Sequence, residues 1–464
     1  MIDFKNIEGL YFVGIGGIGM SALALYFAKG GYTVAGYDRS ESRITLSLAD
    51  NGCSVTYNDD LSFVPDLFSN ISDKNKVLIV YTPAIPADSK ILSFFRSNEY
   101  QIYKRSEILG EISHNTDTLA VAGTHGKTTV STMTAHLLKQ SHVDCSAFLG
   151  GISKNYDSNL LLGESRFTVM EADEFDRSFH RLSPLIAVVT SLDADHLDIY
   201  GDLRTMINAY NEFCGKIRQG GDLIVNSKIL KNIIVPEGVT CHTYGLDKEA
   251  DFRSYDIKRN KDYYSFTFKS PSATIEDLHF AFPGIINIEN FTAAIAVALM
   301  CGVTEQEIRK AVLLFQGVRR RFDIRINVPG LAFVDDYAHH PEEIRACITC
   351  VKEYFSGRKV TGIFQPHLFS RTRDHAEGFA NILDELDEII LLPVYPAREK
   401  PIEGVSSEMI FEKMKSDNKR LLNKADIPGH LDSAKIDVLL TIGAGDIDTL
   451  VAPIEDKLRR ERGG

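Results

Sequence analysis

The chain of 464 residues is too long for one hydrophobic core and, at roughly 100–200 residues per domain, suggests about three. Its 63 acidic against 51 basic residues give a net charge of −12, which excludes a broad nucleic-acid or membrane footprint built on a basic face. Anionic ligands must then be met by local devices: glycine loops, helix N-termini and single basic residues.

In chain order, the first apolar stretch, Leu10 to Phe27, is broken by Gly14, Gly16, Gly17 and Gly19 and has an acidic flank. It reads as strand, turn and helix rather than as a signal or membrane segment. Strands are expected at Leu10–Ile15, Thr33–Tyr37 and Val77–Tyr81, with a helix from about Gly19 to Lys29. Strands alternating with helices imply a parallel, doubly wound sheet. A polar stretch, His114 to Asp117, precedes a new strand, Thr118–Ala122, and sets a first boundary: residues 1–116 form one domain.

The second segment, residues 117–322, repeats strand, glycine turn and a helix from Lys127 to about Gln140. Further strands are expected at Phe167–Met170, Ile186–Thr190 and Leu223–Val225, then a β-rich patch of alternating polarity around Tyr263–Phe268 and a helix from Asn287 to Met300. Gly317 to Arg321 marks the second boundary, and residues 323–464 alternate again: Ala332–Asp335, a helix after Pro341, Val360–Phe364, Glu388–Leu392 and Val438–Ile442. Cys347 and Cys350 are the only closely spaced cysteines of seven, and no second pair completes a four-thiolate zinc site. They read as structural residues of a helix. An odd cysteine count fits a reducing cytosol, so a cytoplasmic protein is expected.

Six constellations carry chemistry. Gly14-Ile15-Gly16-Gly17-Ile18-Gly19 follows a strand and opens a helix, where backbone N–H groups meet a diphosphate; Asp38 ends the next strand, near where a ribose-binding acid belongs. Alone, this pattern fits NAD, FAD or a nucleotide sugar equally. Gly123-Thr124-His125-Gly126-Lys127-Thr128-Thr129 is a shorter variant of the phosphate loop, with Val121 where the longer form has its first glycine. Its backbone suits phosphates, Lys127 the β and γ oxygens, and Thr128 a magnesium ion. Glu171-Ala172-Asp173-Glu174 follows a neighbouring strand, where nucleotide-binding sheets hold magnesium. His196, in Asp193-Ala194-Asp195-His196-Leu197-Asp198, reads either as a second metal ligand or as a satisfied core histidine. In Asp335-Asp336-Tyr337-Ala338-His339-His340-Pro341, Pro341 and the following glutamates suit a helix start, leaving Asp336 and His339 on a loop facing a ligand. His367 and Arg371, after another strand, are candidate anion contacts.

Together these patterns resemble the Mur ligases over essentially the whole chain, with GIGGIGMS and DADHLD pointing to the branch that adds L-alanine. The resemblance implies an α/β protein of three domains: a Rossmann-like N-terminal domain for the UDP-sugar, a central P-loop ATPase domain with a mostly parallel sheet, and a Rossmann-like C-terminal domain that closes over ATP and binds the amino acid. It implies amide formation between the muramoyl carboxylate of UDP-N-acetylmuramate and L-alanine, through an acyl phosphate, with ATP and Mg2+. By position, Gly14, Gly16, Gly17, Gly19 and Asp38 would bind the sugar nucleotide. Gly123 to Thr129, with Lys127, would hold ATP phosphates; Thr128, Glu171 and His196 would hold magnesium. Asn287 and Asn290 would meet adenine, Arg321 the γ-phosphate and Asp336 the ribose. His367 and Arg371 would line the carboxylate and alanine site, and His339 or His196 is a candidate proton acceptor.

Three departures stand out. Ile286 occupies a position where the family commonly has His, and Leu368 one where it has Arg, which leaves Arg371 as the anion contact. The stretch Arg204 to Cys214 holds no lysine that could be modified to bridge magnesium, in keeping with the alanine-adding branch. The rivals are a recycling ligase that attaches a preformed murein peptide, a nicotinamide-dependent dehydrogenase, and a non-catalytic nucleotide-binding regulator. A monomer or weak homodimer is expected, with no nucleic-acid partner and no membrane partner.

Overall fold

The computed structural model describes residues 2–86, 88–193, 197–260, 263–397 and 399–462. They fall into two compact units, Met1–Gln316 and Gly317–Gly464. Among the described residues no helix is long and apolar enough to cross a membrane.

The first unit contains two sheets. Strands β1 (Gly9–Val13), β2 (Thr33–Tyr37), β3 (Ser54–Thr56), β4 (Val77–Tyr81) and β5 (Ile102–Lys104) form a parallel sheet in the order β3-β2-β1-β4-β5. All of β1 is buried, because helices cover both faces of the sheet. Leu10 and Phe12 join one core with Leu23 and Phe27, while Tyr11 and Val13 join the other with Phe68 and Phe95. The strand stops at Val13 rather than Ile15, because Gly14 turns the chain at φ +90°.

The second sheet has ten strands: β6 (Asp117–Ala122), β7 (Ser146–Ser153), β8 (Ser158–Leu161), β9 (Phe167–Glu171), β10 (Ile186–Val189), β11 (Asp222–Asn226), β12 (Thr240–Gly245), β13 (Phe252–Arg259), β14 (Tyr264–Lys269) and β15 (Thr274–Phe280). Their order is β15-β14-β13-β12-β11-β10-β6-β9-β7-β8. The strands from β13 to β7 run parallel, and β8, β14 and β15 add antiparallel edges. The patch of alternating polarity is β14, in which buried Tyr264, Phe266 and Phe268 alternate with more exposed residues. The polar stretch at 114–117 holds the end of the helix Arg105–His114 and the start of β6, where Asp117 pairs with Phe167. The helix Ile18–Lys29 packs on β7 and β8, and Asn159 of β8 donates to the Ile18 carbonyl at 2.5 Å and to Ser21 Oγ at 3.0 Å. One hydrophobic core therefore runs from Phe27 to Phe148 and Met170.

The second unit has six strands, β16 (Asp323–Val328), β17 (Leu331–Asp336), β18 (Val360–Phe364), β19 (Glu388–Leu391), β20 (Lys419–Leu421) and β21 (Val438–Ile442), ordered β16-β17-β21-β18-β19-β20. Only β16 is antiparallel to its neighbour. Cys347 and Cys350 are buried on the helix Pro341–Tyr354.

Candidate functional site

The first glycine loop leaves the C-terminal end of β1, between β2 and β4, where the chain reverses its order in the sheet and ligands of such folds bind. The N–H groups of Gly14 and Ile15 donate to the Tyr37 carbonyl at 2.8 and 3.0 Å, and Gly16 N–H donates to Asp38 Oδ2 at 2.7 Å. Asp38 thus braces the loop itself. Gly17 opens the helix Ile18–Lys29 at φ −63°, and a Cβ there would meet nothing closer than 3.6 Å. Gly19 faces the guanidinium of Arg105.

The phosphate loop follows β6 and opens the helix Lys127–Lys139. Gly123 has φ +134°, and a Cβ there would overlap Thr190 Oγ1 and lie 2.8 Å from the Ser191 nitrogen. Gly126 has φ +83°. Ser191, just after β10, locks the loop: its Oγ lies 2.9 Å from Thr124 Oγ1 and accepts from His125 N–H at 2.8 Å. His125 Nε2 lies 3.7 Å from Asp193 Oδ2.

Lys127 folds back over the loop, donating to the Gly123 carbonyl at 2.7 Å and to the Glu174 carboxylate at 2.8 Å. Its side chain is 14 % exposed and that of Glu174 1 %. Burial pushes the ammonium pKa down, but the Glu174, Glu171 and Asp173 carboxylates outweigh it and raise the pKa, so Lys127 stays charged. Glu171 ends β9 with its carboxyl against Gly150 of β7, where a Cβ would collide with it. Thr128 is buried in the first helical turn, and Thr129 follows half-buried.

The helix Ile285–Met300 packs on the Lys127–Lys139 helix and begins after Gly284 at φ +92°. Asn290 Oδ1 lies 3.1 Å from where a Gly126 Cβ would stand, so this asparagine abuts the phosphate loop. Asn287 donates to the Pro283 carbonyl at 2.6 Å, and Ile286 is 50 % exposed. His196 lies outside the described residues.

In the second unit, Asp336 is the last residue of β17 rather than a loop residue, and it is buried. Both carboxylate oxygens accept backbone N–H groups, from Phe322 at 2.7 Å and Ala338 at 2.8 Å, so the side chain also fixes the turn at the end of its strand. Burial raises its pKa, against the lowering influence of Arg321 and those two N–H groups. Its neighbour Asp335 is pushed up to about 6 by burial, partly offset by Arg320 and a 2.7 Å hydrogen bond from Thr441. Arg320 and Arg321 both stack over the Tyr337 ring at 5.1 Å. His339 Nδ1 lies 3.0 Å from the Tyr337 carbonyl, and its ring is 5.9 Å from that of His367, which stacks on Tyr395. Arg371 lies in the first turn of the helix Phe369–Leu383, after Leu368 at φ +71°.

The structure therefore gathers Gly123 to Thr129, Glu171 and Asn290 around one loop, and Arg321, Asp336, His339 and His367 near the ends of β17 and β18. Sequence reasoning missed three contributors. Glu174 stood in a cluster already noticed, and its position three residues after Glu171 was a usable signal. Ser191 lay just beyond an expected strand. Arg105 carried no local signal at all.

Three family models match the chain: "Mur ligase family, catalytic domain" over residues 9–116, "Mur ligase middle domain" over 121–298 and "Mur ligase, glutamate ligase domain" over 320–446. Among curated proteins, the UDP-N-acetylmuramate–L-alanine ligase of Porphyromonas gingivalis is 48 % identical over 98 % of this chain and 99 % of its own. That of Parabacteroides distasonis is 46 % identical over 99 % of both. Among solved structures, the UDP-N-acetylmuramate–alanine ligase of Thermotoga maritima matches with a TM-score of 0.79 at 26 % identity, covering 97 % of this chain and 99 % of that one. With both glycine loops in place at the ends of their strands, the chain belongs to the Mur ligase family.

Proposed function

We propose that the chain is an ATP-dependent ligase that joins the muramoyl carboxylate of UDP-N-acetylmuramate to L-alanine, making a peptidoglycan precursor. The observation that carries this reading is the similarity, at 46–48 % identity over nearly full length, to relatives named for that reaction. The recycling ligase, which would attach a preformed murein peptide to the same sugar, draws no support from those names.

A carboxylate is a poor acyl donor. The muramoyl carboxylate attacks the γ-phosphate of ATP, giving an acyl phosphate and ADP; the amine of L-alanine then attacks the acyl carbon and phosphate leaves. Such transfer needs positioning and charge neutralisation more than covalent help. Lys127, kept charged by Glu174, holds the β and γ oxygens above the loop Gly123 to Thr129. Thr128 and Glu171 offer the oxygen donors a hard divalent cation prefers, and Gly150 leaves room for the Glu171 carboxyl; they would hold Mg2+, with His196 serving a second ion. Bound there, magnesium supplies positive charge to the phosphoryl oxygens.

Asn290, and Asn287 one turn earlier, would meet the adenine, Asp336 the ribose and Arg321 the γ-phosphate. His367 and Arg371 would bind the carboxylate and the alanine, and His339 or His196 would take a proton from the alanine ammonium. Gly14 to Gly19 would bind the UDP moiety. ATP and a nucleotide-linked precursor as substrates place the work in the cytoplasm.

The test is phosphate release from ATP with Mg2+ and UDP-N-acetylmuramate, with L-alanine, with the recycling tripeptide, or with no acceptor. Release that requires both the sugar and L-alanine is expected. Release with the tripeptide alone moves the chain to the recycling activity, and release with neither acceptor sinks both readings.

A further inference from the structure

We propose that Arg105 is the pyrophosphate-binding cation of the first glycine loop, and that it exchanges Asp173 for the pyrophosphate when the sugar nucleotide binds. The inference rests on the reading of that loop as the UDP-sugar site. Arg105 opens the helix Arg105–His114, and its guanidinium lies against Gly19 in the first turn of the helix Ile18–Lys29. A Cβ at Gly19 would overlap Arg105 Nη1 and stand 3.1 Å from Cζ, so glycine is what lets the guanidinium lie there.

The placement is electrostatically pointed. A helix N-terminus carries partial positive charge, so a bare helix start repels a cation, whereas an anion between the two is attracted by both. The loop brings no charged side chain of its own, and the carboxylate beside it, Asp38 after β2, is engaged with Gly16 N–H. The ion pair that Arg105 makes is with Asp173 of the acidic turn, Nη2 to Oδ2, at a long 3.4 Å, with the two side chains 22 % and 38 % exposed. One long, partly solvated pair is a weak tether. A guanidinium matches phosphate oxygens in a bidentate fork, a stronger contact than the one it would give up.

The experiment is titration of UDP, uridine and UDP-N-acetylmuramate into the full chain and into Arg105→Ala, Arg105→Lys and Gly19→Ala, with ADP binding in each as the check that the neighbouring phosphate loop is intact. Arg105→Ala should weaken UDP and the sugar nucleotide by about 10- to 100-fold, the range expected for a charge-assisted contact, while uridine and ADP bind as before. Arg105→Lys should recover only part, because an ammonium is a point charge. Gly19→Ala, which keeps the arginine but displaces its tip, should also weaken UDP. UDP affinity unchanged within twofold in Arg105→Ala and Gly19→Ala, with ADP binding retained, overturns the role of Arg105 and leaves the ligase reading standing. A wild-type chain that binds ADP but neither UDP nor the sugar nucleotide overturns the reading of the loop, and this inference with it.

Discussion

The two glycine loops of the first unit look alike in sequence and differ in what braces them. The loop after β1 is held by a carboxylate from the neighbouring strand, Asp38 on Gly16 N–H, and has its cation, Arg105, in a distant helix. The loop after β6 carries its cation within itself, and Lys127 is neutralised from below by the buried Glu174. A loop with its charge inside the motif announces phosphate chemistry from a few consecutive residues. A loop without it announces only a close approach of backbone to something, which is why Gly14 to Gly19 read equally as a site for NAD, FAD or a sugar nucleotide.

The contrast is sharpest at Lys127. Lys127→Ala should abolish phosphate release while leaving UDP-N-acetylmuramate bound at the other loop, measured by titration. It should also take a cationic partner from the buried Glu174 carboxylate and cost about 1–3 kcal/mol in denaturant unfolding, the range for a lost charge-assisted hydrogen bond. Adding Glu174→Gln to Lys127→Ala should restore much of that stability and none of the activity; equal stability of the single and double variants would break the argument.

Next come the glycines. Gly123→Ala places a side chain at φ +134° and into Thr190, so strain alone should cost about 1–3 kcal/mol, with ADP affinity lost along with it. Asp38→Ala removes an acceptor from one partly exposed backbone N–H and should cost about 1 kcal/mol, with weaker UDP binding and unchanged ADP binding. Gly17→Ala, where a Cβ meets only ordinary contacts and φ is −63°, should change stability by less than about 0.5 kcal/mol. A large loss there, or none at Gly123, would mean that the two loops are not built as described.

Much of the architecture was legible because periodicity and glycine turns are local. The strands β1, β2, β4, β6, β9 and β10 and the helices after both loops stand within a few residues of where the sequence puts them. The edges were harder. Strands β7 and β8 hold serines, glycines and an asparagine, a weak strand signal, and the helix Ile18–Lys29 packs on both of them. Asp336 read as a loop residue because a carboxylate before Tyr-Ala-His-His-Pro looks free; pairing of β17 with β21 instead draws it into the end of the strand, where its oxygens also accept two backbone N–H groups.

The sequence by itself determined the conformations that consecutive residues impose: where φ turns positive, where helices start, and which short segments present N–H groups and a lysine to phosphate. Only the tertiary structure decided the electrostatic partners, because charges pair by distance in space and not along the chain. Lys127 meets a glutamate 47 residues away, and Arg105 meets an aspartate 68 residues away across the end of a strand. No window of sequence contains both members of either pair, and packing the sheets and helices of the first unit on one core is what brings them within reach.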